Sequence, residues 1–128
     1  MKRFLTLCLF VTLTANLATA QDLKISEFQF AASVENREPV NVDTAFAADV
    51  GNVFCYTQIT GATDTTQIAH VWYYKDEEKA RINLDIRSNE WRTWSSKTIL
   101  ESWSGRWRVM IEGPDGNVLA TKNFVIRK

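Results

Sequence analysis

Disulfides and transition-metal clusters are excluded by scarcity, since the 128-residue chain holds two cysteines and one histidine. Cys8 falls in the apolar N-terminal stretch, so Cys55 stands alone in the rest of the chain and no intrachain bridge is expected. A zinc or other transition-metal site would have to be completed around His70 by carboxylates alone, and no metal or cofactor is expected. Nor is there an excess of either charge, with 15 Lys and Arg against 15 Asp and Glu. Without a basic patch, no sequence-independent binding of nucleic acid is expected.

Long apolar runs are also missing, except at the start. Met1-Lys2-Arg3 leads into an apolar run from Phe4 to Leu17, which closes on Ala18-Thr19-Ala20. This is the layout of a secretory signal peptide cleaved after Ala20. The run is shorter than the ~20 residues that span a bilayer, so no membrane anchor is expected after cleavage. Cys8 follows Leu7 rather than a small residue and comes too early for lipoprotein processing. The expected layout is a signal peptide over 1–20 and a single domain over 21–128, in the periplasm or secreted.

What is present is alternation of period two. Phe28, Phe30, Ala32 and Val34 alternate with polar residues, and Ala80, Ile82, Leu84 and Ile86 do so more cleanly. Val50–Thr60 is apolar on both faces, as an interior strand is. Gln67–Tyr74, Trp91–Lys97, Arg106–Glu112 and Val118–Ile126 supply four more strands, with Asn36 to Pro39, Gly61 to Asp64, Lys75 to Lys79 and Pro114 to Asn117 as breaks. Phe46 is the anchor of the loop after strand one, and Trp103 lies in a crossing loop. About seven strands and no amphipathic helix predict an all-β, immunoglobulin-like antiparallel β-sandwich, with a small barrel as the alternative.

Arg37-Glu38-Pro39-Val40, Phe54-Cys55-Tyr56-Thr57, His70-Val71-Trp72-Tyr73-Tyr74, Trp91 to Lys97 and Gly105-x-Trp107-x-Val109, taken in order, resemble a bacterial family, domain of unknown function 2914, over about Val34 to Ile126. The resemblance implies an exported β-domain with no catalytic residues to transfer, because the family occurs in exported and membrane-associated proteins and has no assigned activity. A looser likeness to immunoglobulin-like domains sets Trp72 against Cys55. Val109 or Met110 stands where the second cysteine of the bridge would be, so the packing is retained without the disulfide.

Six residues are candidates for a binding site: Arg37, His70, Arg92, Trp94, Ser96 and Lys97. In an extended segment Arg92, Trp94 and Ser96 share one face, and a ring beside a guanidinium suits a sugar face or a carboxylate. The structural alternative places one tryptophan in the core and pairs Arg92 with an acid or an aromatic ring. Arg37 and Glu38 beside Pro39 read as a salt-linked corner. His70 shares a face with Ile68, Trp72 and Tyr74, and that face is expected to point inward, with Val71 and Tyr73 outward. A buried imidazole there would be fixed in one tautomer by its neighbours. Ser95 or Ser96 with His70 lacks the G-x-S-x-G elbow of a hydrolase, and no carboxylate pair is placed for glycoside hydrolysis. The expectation is a non-catalytic, exported recognition module that binds an envelope protein or a glycan. A self-assembling structural domain and a hydrolase are the competing classes.

Overall fold

The alternating segments become strands in a computed structural model that describes residues 22–128. The signal-peptide expectation over 1–20 lies outside the described residues. Among those described there is no helix long and apolar enough to cross a membrane.

The described residues form nine strands: β1 (Lys24–Glu35), β2 (Glu38–Val42), β3 (Ala45–Ala47), β4 (Asn52–Thr60), β5 (Thr66–Tyr74), β6 (Glu77–Ile86), β7 (Glu90–Thr98), β8 (Gly105–Glu112) and β9 (Val118–Arg127). They make a four-stranded sheet in the order β2-β1-β4-β7 and a five-stranded sheet in the order β3-β9-β8-β5-β6. The immunoglobulin-like sandwich is therefore present, with two strands more than the seven expected. β1 ends in the Asn36–Arg37 turn and not at Pro39, which sits in a strand of its own, β2, at the edge of a sheet where a missing N–H is tolerated. β3 has only three residues, and it pairs parallel to β9, so the sandwich is not wholly antiparallel. At the opposite edge the charged hairpin shrinks to the two-residue turn Lys75–Asp76, and Glu77, Glu78 and Lys79 open β6.

The inner faces meet in two apolar clusters. The larger joins Phe30, Cys55, Trp72, Trp107, Val109 and Phe124, and the smaller includes Ile59, Ile68, Ile86 and Ile111. Trp72 and Cys55 share the larger cluster, as the immunoglobulin analogy requires, and Val109 fills the position of the absent cysteine. Phe46 is buried there too. Along β4 the inward residues run Val53, Cys55, Thr57 and Ile59, and along β5 they run Ile68, His70 and Trp72. Thr57 and His70 thus form a polar rung between the two clusters.

The expected inward face of β5 is confirmed for Ile68, His70 and Trp72, all buried, while Tyr74 is half-buried. Val71 departs from expectation. It belongs to the outer face, yet it is fully buried, because β5 is an interior strand and Val71 lies in register between the long side chains of Arg81 on β6 and Met110 on β8.

Candidate functional site

Two polar arrangements stand out, one sealed in the core and one open to solvent. The sealed one is a chain of hydrogen bonds across the sandwich. Thr57 Oγ1 donates to the carbonyl of Thr93 at 3.2 Å, so its contact with His70 Nε2 at 3.1 Å must be one in which the imidazole N–H donates. Nδ1 is then unprotonated and accepts the Ser95 hydroxyl at 2.7 Å. Ser95 Oγ in turn accepts the indole N–H of Trp72 at 3.1 Å. Every proton in the series has one place: Trp72 to Ser95 to His70, then His70 to Thr57 to the Thr93 carbonyl.

This rung holds the neutral imidazole. Burial pushes the His70 pKa down to about 3, since no carboxylate is there to offset the loss of hydration. Ser95 and His70 are in contact, but the far nitrogen meets a threonine rather than an acid, and both residues are buried. No buried side-chain polar atom among the described residues lacks a partner. Cys55 is buried as well, and burial pushes its thiol up, which keeps it protonated and unreactive.

The open arrangement lies on the outer face of the four-stranded sheet. Antiparallel register lines up Gln29, Tyr56 and Trp94 in one row, and Glu27, Gln58 and Arg92 in the next. The half-buried Trp94 ring stacks on Tyr56 with centroids 6.0 Å apart and planes within 13°. Tyr56 is covered by that ring, and its hydroxyl donates to the Arg37 carbonyl at 2.8 Å. Burial pushes the Tyr56 phenol up, with the nearby Arg92 guanidinium opposing the shift. Arg92 donates to Glu38 at 2.6 Å, a charge-assisted bond between β7 and the β1–β2 hairpin. A second polar link, Gln58 to Glu90 at 2.6 Å, fixes the neighbouring row. Arg37, Trp91, Arg92 and Trp94 also line a groove of about 280 Å³ that continues over the β7 edge to Asp85 and Arg87.

The structure therefore brings together Arg37, Arg92 and Trp94, with Ser96 exposed on the same face. It does not bring in the other two. Lys97 points to the inner side at one end of the sandwich, where its ammonium sits 5.3 Å from the Trp103 ring centroid. His70 is sealed in the core, out of reach of any ligand. The Arg37–Glu38 corner is corrected too: Glu38 pairs with Arg92, and Arg37 contributes its carbonyl to the site. Tyr56 and Glu38 are the residues that sequence reasoning missed. Tyr56 carried a signal, because Phe54 and Tyr56 mark a second apolar face on β4 that something had to cover.

A family model described as a protein of unknown function (DUF2914) matches residues 65–126, which bears out the resemblance over β5 to β9 and leaves residues 37–40 and 54–57 outside the match. No curated protein matches. Among solved structures, a β-glucosidase from Listeria innocua in complex with glucose aligns at TM-score 0.52 and 11% identity over 85% of this chain and 16% of that chain. A mutant of that enzyme in complex with laminaribiose gives 0.51 and 12% over 85% and 16%. A β-glucosidase from Kluyveromyces marxianus in complex with glucose gives 0.50 and 11% over 87% and 14%. This chain spans only 14% to 16% of the length of those enzymes, and the likeness is one of fold.

Proposed function

We propose that this chain, whose residues 65–126 carry the DUF2914 match, is a non-catalytic recognition module of the bacterial cell envelope that binds glycan on the outer face of its four-stranded sheet. The observation that carries the reading is the Trp94 ring, half-exposed and held flat on Tyr56 beside Arg92. A sugar presents an apolar face of C–H groups and a rim of hydroxyls. The indole supplies a flat apolar surface for the first, and Arg92, Glu38 and Gln58 beside it supply donors and acceptors for the second. Each of these side chains is already fixed by a partner, so little conformational entropy is lost on binding. The N-terminal signal-like segment supports export, and the sealed Ser95–His70 pair supports a role without catalysis.

Soluble peptidoglycan fragments should change the tryptophan fluorescence of the intact protein in a saturable way. Trp94→Ala should weaken binding by about tenfold or more, equivalent to ~1.4 kcal/mol, while the fold is retained by circular dichroism with some loss of stability, because the change uncovers Tyr56. Absence of any saturable response to peptidoglycan fragments or neutral oligosaccharides would sink the reading. A protein partner is the second reading, favoured by one feature. The apolar face continues from Trp94 through Phe54 and Ala31 to Val42, which is 49% exposed at the sheet edge. Val42→Lys should then abolish co-purification of an envelope partner while leaving sugar binding intact.

A further inference from the structure

The outer face of the five-stranded sheet carries a charge arrangement that the fold alone does not require. Tyr73, Arg108 and Asn123 form one cross-strand row on β5, β8 and β9. The next row places Lys75 opposite Arg106, the Lys75 N–H donating to the Arg106 carbonyl at 3.3 Å. Lys75 itself is a turn residue, and its side chain runs past Gly105 to the Tyr74 ring. The compensating carboxylate nearby, Asp76, is committed to Arg108 at 3.2 Å, and Arg108 also lies over the Tyr73 ring at 4.5 Å. Arg106 is exposed with no ion pair, and the Lys75 ammonium rests 5.2 Å from the Tyr74 ring with no carboxylate partner among the described residues.

Lys75 and Asp76 occupy the two central positions of the β5–β6 turn with φ of 48° and 65°. Asn36 and Arg37 hold the same geometry in the β1–β2 turn. Together with Tyr73, Arg106, Arg108 and Asn123, Lys75 and Asp76 line a groove of about 440 Å³.

We propose that this groove is an oxyanion-binding site, in which Arg106 and Lys75 hold a carboxylate or phosphate group, Asn123 donates from the neighbouring row, and Arg108 is kept in place by Tyr73 and Asp76. Arg106 and Arg108 project from the same face of β8 about 7 Å apart, so two charges of an anionic polymer reach the groove as readily as one free ion. The site lies on the sheet opposite the Trp94 platform and stands independently of it.

The test is a nuclear magnetic resonance titration of the backbone amides with inorganic phosphate in one arm and polygalacturonate in the other. Saturable shifts confined to the ends of β5 and β8 and to Asn123 are expected in at least one arm. Phosphate binding of equal strength identifies a site for free oxyanions, whereas a response to the polymer alone identifies an anionic chain as the ligand. Arg106→Gln should weaken the response about tenfold and leave thermal stability unchanged, because the exposed Arg106 makes no ion pair among the described residues. Shifts spread over unrelated cations such as Arg127 and Lys128, an unchanged affinity in Arg106→Gln, or silence in both arms would overturn the proposal.

Discussion

At Ser95 a single hydroxyl serves two buried groups, accepting from the Trp72 indole and donating to His70 Nδ1. Ser95→Ala removes only one oxygen, yet it leaves both groups unpartnered in the core. Each costs ~1 to 3 kcal/mol in such a setting, so a loss of ~2 to 6 kcal/mol is expected from urea unfolding. Trp72→Ala should cost ~3 to 5 kcal/mol, because Trp72 is wholly buried and meets the Phe124 ring at 6.0 Å, in addition to surrendering its bond to Ser95. An unchanged midpoint for either variant would contradict the hydrogen-bonded rung. The sharing of a face by His70 and Trp72 was legible in the sequence, since period-two spacing dictates it. Their meeting with Ser95 was not, because that contact crosses between sheets over a separation of 25 residues and leaves no local pattern. For the same reason Glu38 went unrecognised as the partner of Arg92, 54 residues away.

Strands declare themselves when they are long enough to alternate, and β6 and β8 were legible for that reason. β3 has three residues, too few to show a period, and its existence depends on pairing with β9. β2 was hidden by Pro39, whose missing N–H reads as a break unless the strand is known to lie at an edge. The connection after β4 is a further element whose geometry rests on one residue. Gly61 has φ of 95°, and a side chain there would run into the backbone of Asp22 as the chain enters β1. Gly61→Ala should therefore cost ~2 kcal/mol or more, combining a left-handed conformation with a backbone clash. Hydrogen exchange should show the loss first in the amides at the β1–β4 end, and a variant as stable as the parent would show that Asp22 is free to move aside.

For the whole molecule, the polar rung makes stability depend on pH through His70. Its pKa is about 3 when folded and near 6.5 as the unreacted side chain, so the unfolded chain takes up a proton that the folded one refuses. The sign follows from the depressed folded value. Stability is fully present above about pH 6.5 and falls as the pH drops from there toward 3, the unfolded state binding more protons throughout that window. At pH 4 the loss from this residue alone is on the order of 3 kcal/mol, at 1.36 kcal/mol per pH unit. A sandwich without disulfides, with ~5 to 15 kcal/mol to draw on, would feel that strongly. Carboxylates add to acid sensitivity, among them the exposed Asp85, held below the usual range by hydrogen bonds from Gln67 and Arg87. They are common to parent and variant, and the comparison cancels them. His70→Gln offers an amide in place of the imidazole: its N–H₂ faces Thr57 and its oxygen faces Ser95, with nothing to protonate. The variant should be less stable than the parent at pH 7, and its urea-unfolding free energy should decline by about 3 kcal/mol less between pH 7 and pH 4. Parallel declines in the two proteins would mean that His70 is solvated and charged in the folded state, and that the rung between the two apolar clusters does not carry the proton order deduced for it.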